Sequence, residues 1–80
     1  MSAKQIIISL MHQIAQEDSK VLPPLSDNLP LLETGLDSLN IAILVARLEE
    51  VFQVDPFATD SVHVPVTLGE FISLYEDNIN

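Results

Sequence analysis

The chain has no cysteine, which removes disulfides, thiolate metal sites and cysteine nucleophiles in one step. Basic residues are nearly as scarce: three Lys and Arg stand against twelve Asp and Glu, a net charge of −9. Such a surface repels phosphates, so no nucleic acid and no anionic membrane is expected as a partner, and proteins with basic patches are the natural counterpart. A long hydrophobic run is also missing. Ile6-Ile7-Ile8 is broken at Ser9, resumes only through Met11 and lacks a small-residue cleavage site. Neither a spanning helix nor a secretory leader is therefore expected, and the chain reads as cytoplasmic. Sustained apolar-polar alternation between hairpin turns, internal repeats and low-complexity tracts are absent as well.

Against these absences stands an apolar content of 48%, enough to fold a chain whose charge alone would favour disorder. Eighty residues make one domain, 1–80, with one modest core and no room for a large enclosed substrate cavity. Ala3, Ile7, Leu10, Met11 and Ile14 recur at the spacing of one buried helical face, predicting a first helix over 3–17. From Asp18 to Leu36 the chain turns to Pro23-Pro24, Ser26-Asp27-Asn28, Pro30 and Gly35. A connection of this length is either functional or packed down. Its apolar anchors Val21, Leu22, Leu25, Leu29, Leu31 and Leu32 favour packing. Gly35 permits a backbone turn that other residues resist, and Asp37 is a favoured cap, so a second helix is predicted to start at about Ser38. Asp55-Pro56 is read as the opening of a short helical turn through Phe57, Ala58 and Thr59. Thr67 and Glu70 match a capping box ahead of Leu68, Phe71, Ile72, Tyr75 and Ile79 at helical spacing. The expected fold is all-α: three main helices, a short fourth and a long first loop, packed as a small bundle.

The second helix carries apolar residues on two sides. Ile41, Leu44, Val45, Leu48 and Phe52 gather on one face, the expected core face. Leu39, Ile43 and Ala46 fall nearly opposite, beside Glu50, where a surface helix ordinarily carries polar residues. Either the long loop folds over this stripe, as apolar surface tends to be covered, or the stripe is a docking surface. In the second case it supplies contact area while acidic charge steers approach.

Ser38 stands at the head of that helix, in Gly35-Leu36-Asp37-Ser38-Leu39. A serine here can carry an attached phosphate near the positive helix end, with a gain of about 0.3–1 kcal/mol at an exposed site. As a nucleophile it needs an activating base. The chain offers only His12, near the polar side of the first helix, and His63, in a Pro-flanked loop. The sharp-turn pattern Gly-x-Ser-x-Gly is absent, and no catalytic residue and no metal are expected. The plain alternative is that Asp37-Ser38 is only a helix cap.

With Asp37-Ser38-Leu39 following a long Pro-containing loop and preceding an apolar helix in a small acidic chain, the sequence resembles the acyl carrier protein family. The resemblance runs through nearly the whole chain, most specifically over 31–52. It implies 4′-phosphopantetheine joined to Ser38 by a phosphopantetheinyl transferase that draws on coenzyme A, making the chain a phosphoprotein. It also implies an acyl group held as a thioester on the arm's thiol, at an effective concentration on the order of mM for docked enzymes. Gly35, Asp37 and Leu39 match the motif: a turn, a cap with transferase contact, and a partner-facing side chain. The resemblance also makes the second helix the recognition helix, with Leu39, Ile43, Ala46, Glu49 and Glu50 as partner-binding residues. Asn40 and Ile43 stand where fatty-acid carriers usually have acids, and Arg47 adds a positive charge, which points to a dedicated partner set with more apolar contact. The implied function is a discrete, monomeric, non-catalytic carrier that delivers acyl intermediates to the enzymes of a specialised biosynthetic pathway, within fatty-acid or secondary-metabolite biosynthesis. Two alternatives stand beside it: an aminoacyl or peptidyl carrier loaded by an adenylating ligase, and a small acidic helical adaptor without a prosthetic group.

Overall fold

The computed structural model describes residues 2–56 and 65–78. Three α-helices form: α1 (Ala3–Glu17), α2 (Ser38–Phe52) and α3 (Leu68–Asn78), with a 3-10 turn at Leu31–Glu33 in the long first loop. Among the described residues the only β-type pairing is an isolated bridge between Pro30 and Thr67. The short helical turn expected through Phe57, Ala58 and Thr59 lies outside the described residues, as do His63 and Ile79.

Each helix starts where a side chain can satisfy its first amide groups. Ser2 accepts from the Gln5 amide, and the Gln5 side chain answers to the Ser2 backbone. Asp37 and Asn40 form the same reciprocal box at α2, with asparagine in the place more often held by Glu or Gln. At α3 the Thr67 hydroxyl accepts from the Glu70 amide at 3.2 Å. The Glu70 carboxylate reaches back to the Val66 N–H at 3.0 Å, one residue before the cap. Two further amides of α3 donate to loop carbonyls, Leu68 to Leu29 at 2.8 Å and Gly69 to Asp27 at 2.9 Å. The long loop is thus tied down by backbone bonds as well as by leucines.

The α1 helix packs against both α2 and α3. Ile7, Met11, Leu44, Leu48, Phe71 and Tyr75 are fully enclosed at the junction, each such side chain contributing about 1.5–3 kcal/mol through removal from water. Tyr75 stacks at a tilt against Phe71, ring centroids 5.3 Å apart, and against Phe52 at 5.9 Å, closing the end of α2 onto α3. The expected face of α2 points inward, with Leu44 and Leu48 buried and Ile41, Val45 and Phe52 packed against the core. The loop anchors divide. Leu31 is buried, Leu22 and Leu25 lie against the core, and Leu29 is half-buried, but Val21 is 92% and Leu32 75% exposed. Those two are corrections to the expected anchoring. The 3-10 turn explains Leu32, since at three residues per turn consecutive side chains diverge by about 120°, which leaves Leu31 inward and Leu32 outward.

Candidate functional site

Gly35 carries a backbone φ of +96°, a region side chains resist, and so turns the chain from the buried Leu36 anchor into the cap. Beneath this turn the fully buried Thr34 donates its hydroxyl to the Leu31 carbonyl at 2.6 Å. Asp37 then opens α2: one carboxylate oxygen accepts from the Asn40 amide at 2.8 Å, and Ser38 follows as the first helical residue, exposed to solvent. His12 is exposed on α1.

The other Asp37 oxygen accepts from the Lys20 ammonium at 3.0 Å. Lys20 also donates to the Asn40 side-chain oxygen at 2.5 Å and pairs with Asp18 at 3.4 Å. The Asn40 amide nitrogen donates to that same Asp18 carboxylate at 3.2 Å. Asp18, Lys20, Asp37 and Asn40 therefore form a closed clasp between the end of α1 and the start of α2. The Asn40 amide, followed by the Lys20 ammonium, holds the Asp37 carboxyl below its ordinary range, and the pairing with Asp37 raises Lys20 in turn.

The clasp has two consequences for the site. Asn40, 4% exposed, spends its side chain inside the molecule and is not available to partners. The amides at the head of α2 are also not all open to an incoming phosphate, because Asp37 already takes the Asn40 N–H and further interacts with that of Leu39. A phosphate on Ser38 would share the positive helix end with the Asp37 carboxylate, whose charge the paired Lys20 ammonium partly offsets. Arg47, half-buried, is likewise engaged within the chain. It grips Glu17 of α1 with both guanidinium nitrogens, at 2.7 and 3.2 Å, so it presents little free charge on α2. Spacings of 17 to 30 residues hide both arrangements from a linear reading; the one local trace was the Asp37-x-x-Asn40 cap.

The opposite stripe of α2 stays open. Leu39 is 68% exposed, Ile43 36%, and Ala46, Glu49 and Glu50 are exposed too. The long loop does not fold over them. Glu49, Glu50 and Asp55 border a shallow acidic depression with Ala46. On the other side of Ser38 lies an open groove of about 690 Å³, walled by Leu31 and Leu32 of the loop, Ile41, Ala42 and Val45 of α2, and Val66 before α3. Among the described residues, Ser38 and Asp55 are its polar lining residues. An exposed hydroxyl on the first turn of a helix, with an apolar groove beside it, fits a covalent arm carrying an apolar load.

The family model for the phosphopantetheine attachment site matches residues 7–71, spanning the clasp, Ser38 and the groove. The chain belongs to this family of acyl-carrier-type proteins. As a phosphopantetheine attachment domain it takes 4′-phosphopantetheine as a covalent prosthetic group. No curated protein and no solved structure gives a significant match to this attachment domain. Among its described residues no helix is long and apolar enough to cross a membrane.

Proposed function

We propose that this attachment domain is a carrier whose Ser38 hydroxyl receives the prosthetic arm, and that it presents acyl intermediates to the enzymes of a specialised biosynthetic pathway. The observation that carries this reading is Ser38 itself, solvent-exposed at the first position of a fifteen-residue helix and lining the apolar groove. In the loading step the Ser38 oxygen gives its proton to a base of the transferase and forms a bond to the phosphorus of the arm. The diphosphate bridge of coenzyme A breaks, and the nucleotide part leaves. When bound, the arm supplies a thiol that holds the acyl group as a thioester.

The chain contributes placement. Asp37 and Asn40 fix the helix start, Gly35 turns the loop clear of the hydroxyl, and Leu39, Ile43, Ala46, Glu49 and Glu50 offer visiting enzymes an apolar stripe with acidic neighbours. The apolar wall of the groove supports acyl cargo, whereas an aminoacyl ammonium group would have to sit against the Asp55 carboxylate to keep a partner there. Catalysis resides in the visitors, and the carrier acts as a monomer inside the cell. Incubation with coenzyme A and a broad-specificity phosphopantetheinyl transferase tests the core of this reading by intact mass. One added phosphopantetheine is expected on the wild type and none on Ser38→Ala; a folded wild type left unmodified beside an active control would leave the adaptor reading instead.

A further inference from the structure

Three exposed apolar side chains frame Ser38, and only one belongs to α2. Leu39 follows Ser38 in the helix, Leu32 projects from the 3-10 turn, and Val66 precedes α3, with exposures of 68, 75 and 62%. Leu32 and Val66 wall the groove that Ser38 also lines. Their exposure is imposed by backbone geometry. The Leu31 amide donates to the Val66 carbonyl at 2.9 Å, and the Glu33 and Thr34 amides donate to Pro30 and Leu31 at 2.9 and 3.2 Å. Leu31 is thereby held inward and Leu32 outward. A surface fixed before binding loses little conformational entropy when it is covered.

We infer that Leu32 and Val66 join Leu39 as a docking collar for the transferase that loads Ser38, and that this enzyme meets the collar with an apolar ridge bordered by lysine or arginine side chains. The inference rests on Ser38 being the attachment point. An enzyme that delivers phosphorus to the Ser38 oxygen must close over that hydroxyl, and a specific interface covers about 800 Å² on each partner. The collar is exposed apolar surface beside that hydroxyl which such an enzyme can cover. Its charge selects the partner. Glu33 follows Leu32, the Glu70 carboxylate holds the Val66 N–H, and Asp55 lines the groove, whereas no lysine or arginine lines it. All the cations of the chain are bound elsewhere: Lys4 to Asp27, Lys20 to Asp18 and Asp37, Arg47 to Glu17. A second copy of this chain, also at −9, would be repelled from the acidic rim, as would an anionic lipid surface.

The test compares kcat/KM for transfer from coenzyme A to the full apo chain, using a phosphopantetheinyl transferase, in wild type, Leu32→Glu, Val66→Glu and Ser9→Glu. The last adds the same charge on the exposed side of α1. Each collar variant is expected to lose at least about fivefold in kcat/KM, mainly through a raised KM, and Ser9→Glu to stay within about twofold of wild type. Wild-type kcat/KM should also fall as ionic strength rises. Circular dichroism checks that the helices persist, and Leu32→Ser with Val66→Ser provides a milder pair that should move in the same direction. Folded collar variants loaded at the wild-type rate overturn the inference, including the case in which the groove serves only the tethered cargo. A wild type that is never loaded removes the attachment at Ser38, and this surface with it.

Discussion

Asp37 and Asn40 show how closely capping and charge are coupled around one hydroxyl. Each Asp37 oxygen has an intramolecular donor, Asn40 N–H on one side and Lys20 on the other, and the buried Asn40 amide is engaged at both ends. Asparagine is the residue type this position demands, because its side chain must accept from Lys20 and donate to Asp18 at once. Asn40→Asp replaces that donor with a second carboxylate facing Asp18. Gaining a full anion for Lys20 offsets part of the loss, yet a buried acceptor left against another acceptor costs about 1–3 kcal/mol. Urea unfolding at neutral pH should show a loss of that order. The deficit should shrink at low pH, where protonation of the introduced carboxyl restores a donor; an unchanged midpoint would show that the clasp adds nothing to stability.

At the scale of elements, the first loop behaves as part of the framework. Its carbonyls at Asp27 and Leu29 receive the first amides of α3, and this approach depends on Gly69 lacking a side chain. A Cβ there would lie 2.9 Å from the Asp27 carbonyl oxygen and 2.9 Å from the Asp27 Cβ, too close without moving the loop. Alanine is favoured over glycine inside helices by about 1 kcal/mol, whereas forced overpacking costs about 1–3 kcal/mol. At the second residue of α3 the propensity gain is incomplete, so the clash prevails. Gly69→Ala should lower stability by about 1–2 kcal/mol in a denaturant titration, and its amide exchange at 68–70 should quicken. A more stable variant would mean that the loop yields freely.

For the molecule as a whole, the distribution of charge matters more than the number of ion pairs. Twelve acidic residues face three basic ones, and every basic side chain joins α1 or the adjoining loop to a neighbouring segment. Exposed pairs of this kind are strongly screened by solvent and contribute little individually, so the unbalanced carboxylates dominate the response to salt. Screening of their mutual repulsion should raise the melting temperature between about 10 and 300 mM sodium chloride, where the Debye length falls from about 30 Å to below 10 Å. A fall over that range would indicate that the four ion pairs among the described residues outweigh the net repulsion.

Much of this organisation was legible in the linear chain. Periodicity marked α1 over 3–17, the Asp37 cap marked the start of α2, and Thr67 marked α3, because caps and apolar spacing act over one or two turns. The same local chemistry singled out Ser38. Pairing over long separations was decided only by the tertiary structure: Lys20 against Asp37 and Asn40, Arg47 against Glu17, and the loop carbonyls against the amides of α3. The fold likewise divided the loop residues, sending Leu31 into the core and its neighbour Leu32 beside Ser38. Residue type alone cannot separate two adjacent leucines, since what distinguishes them is the direction imposed by a turn and by the surface it meets.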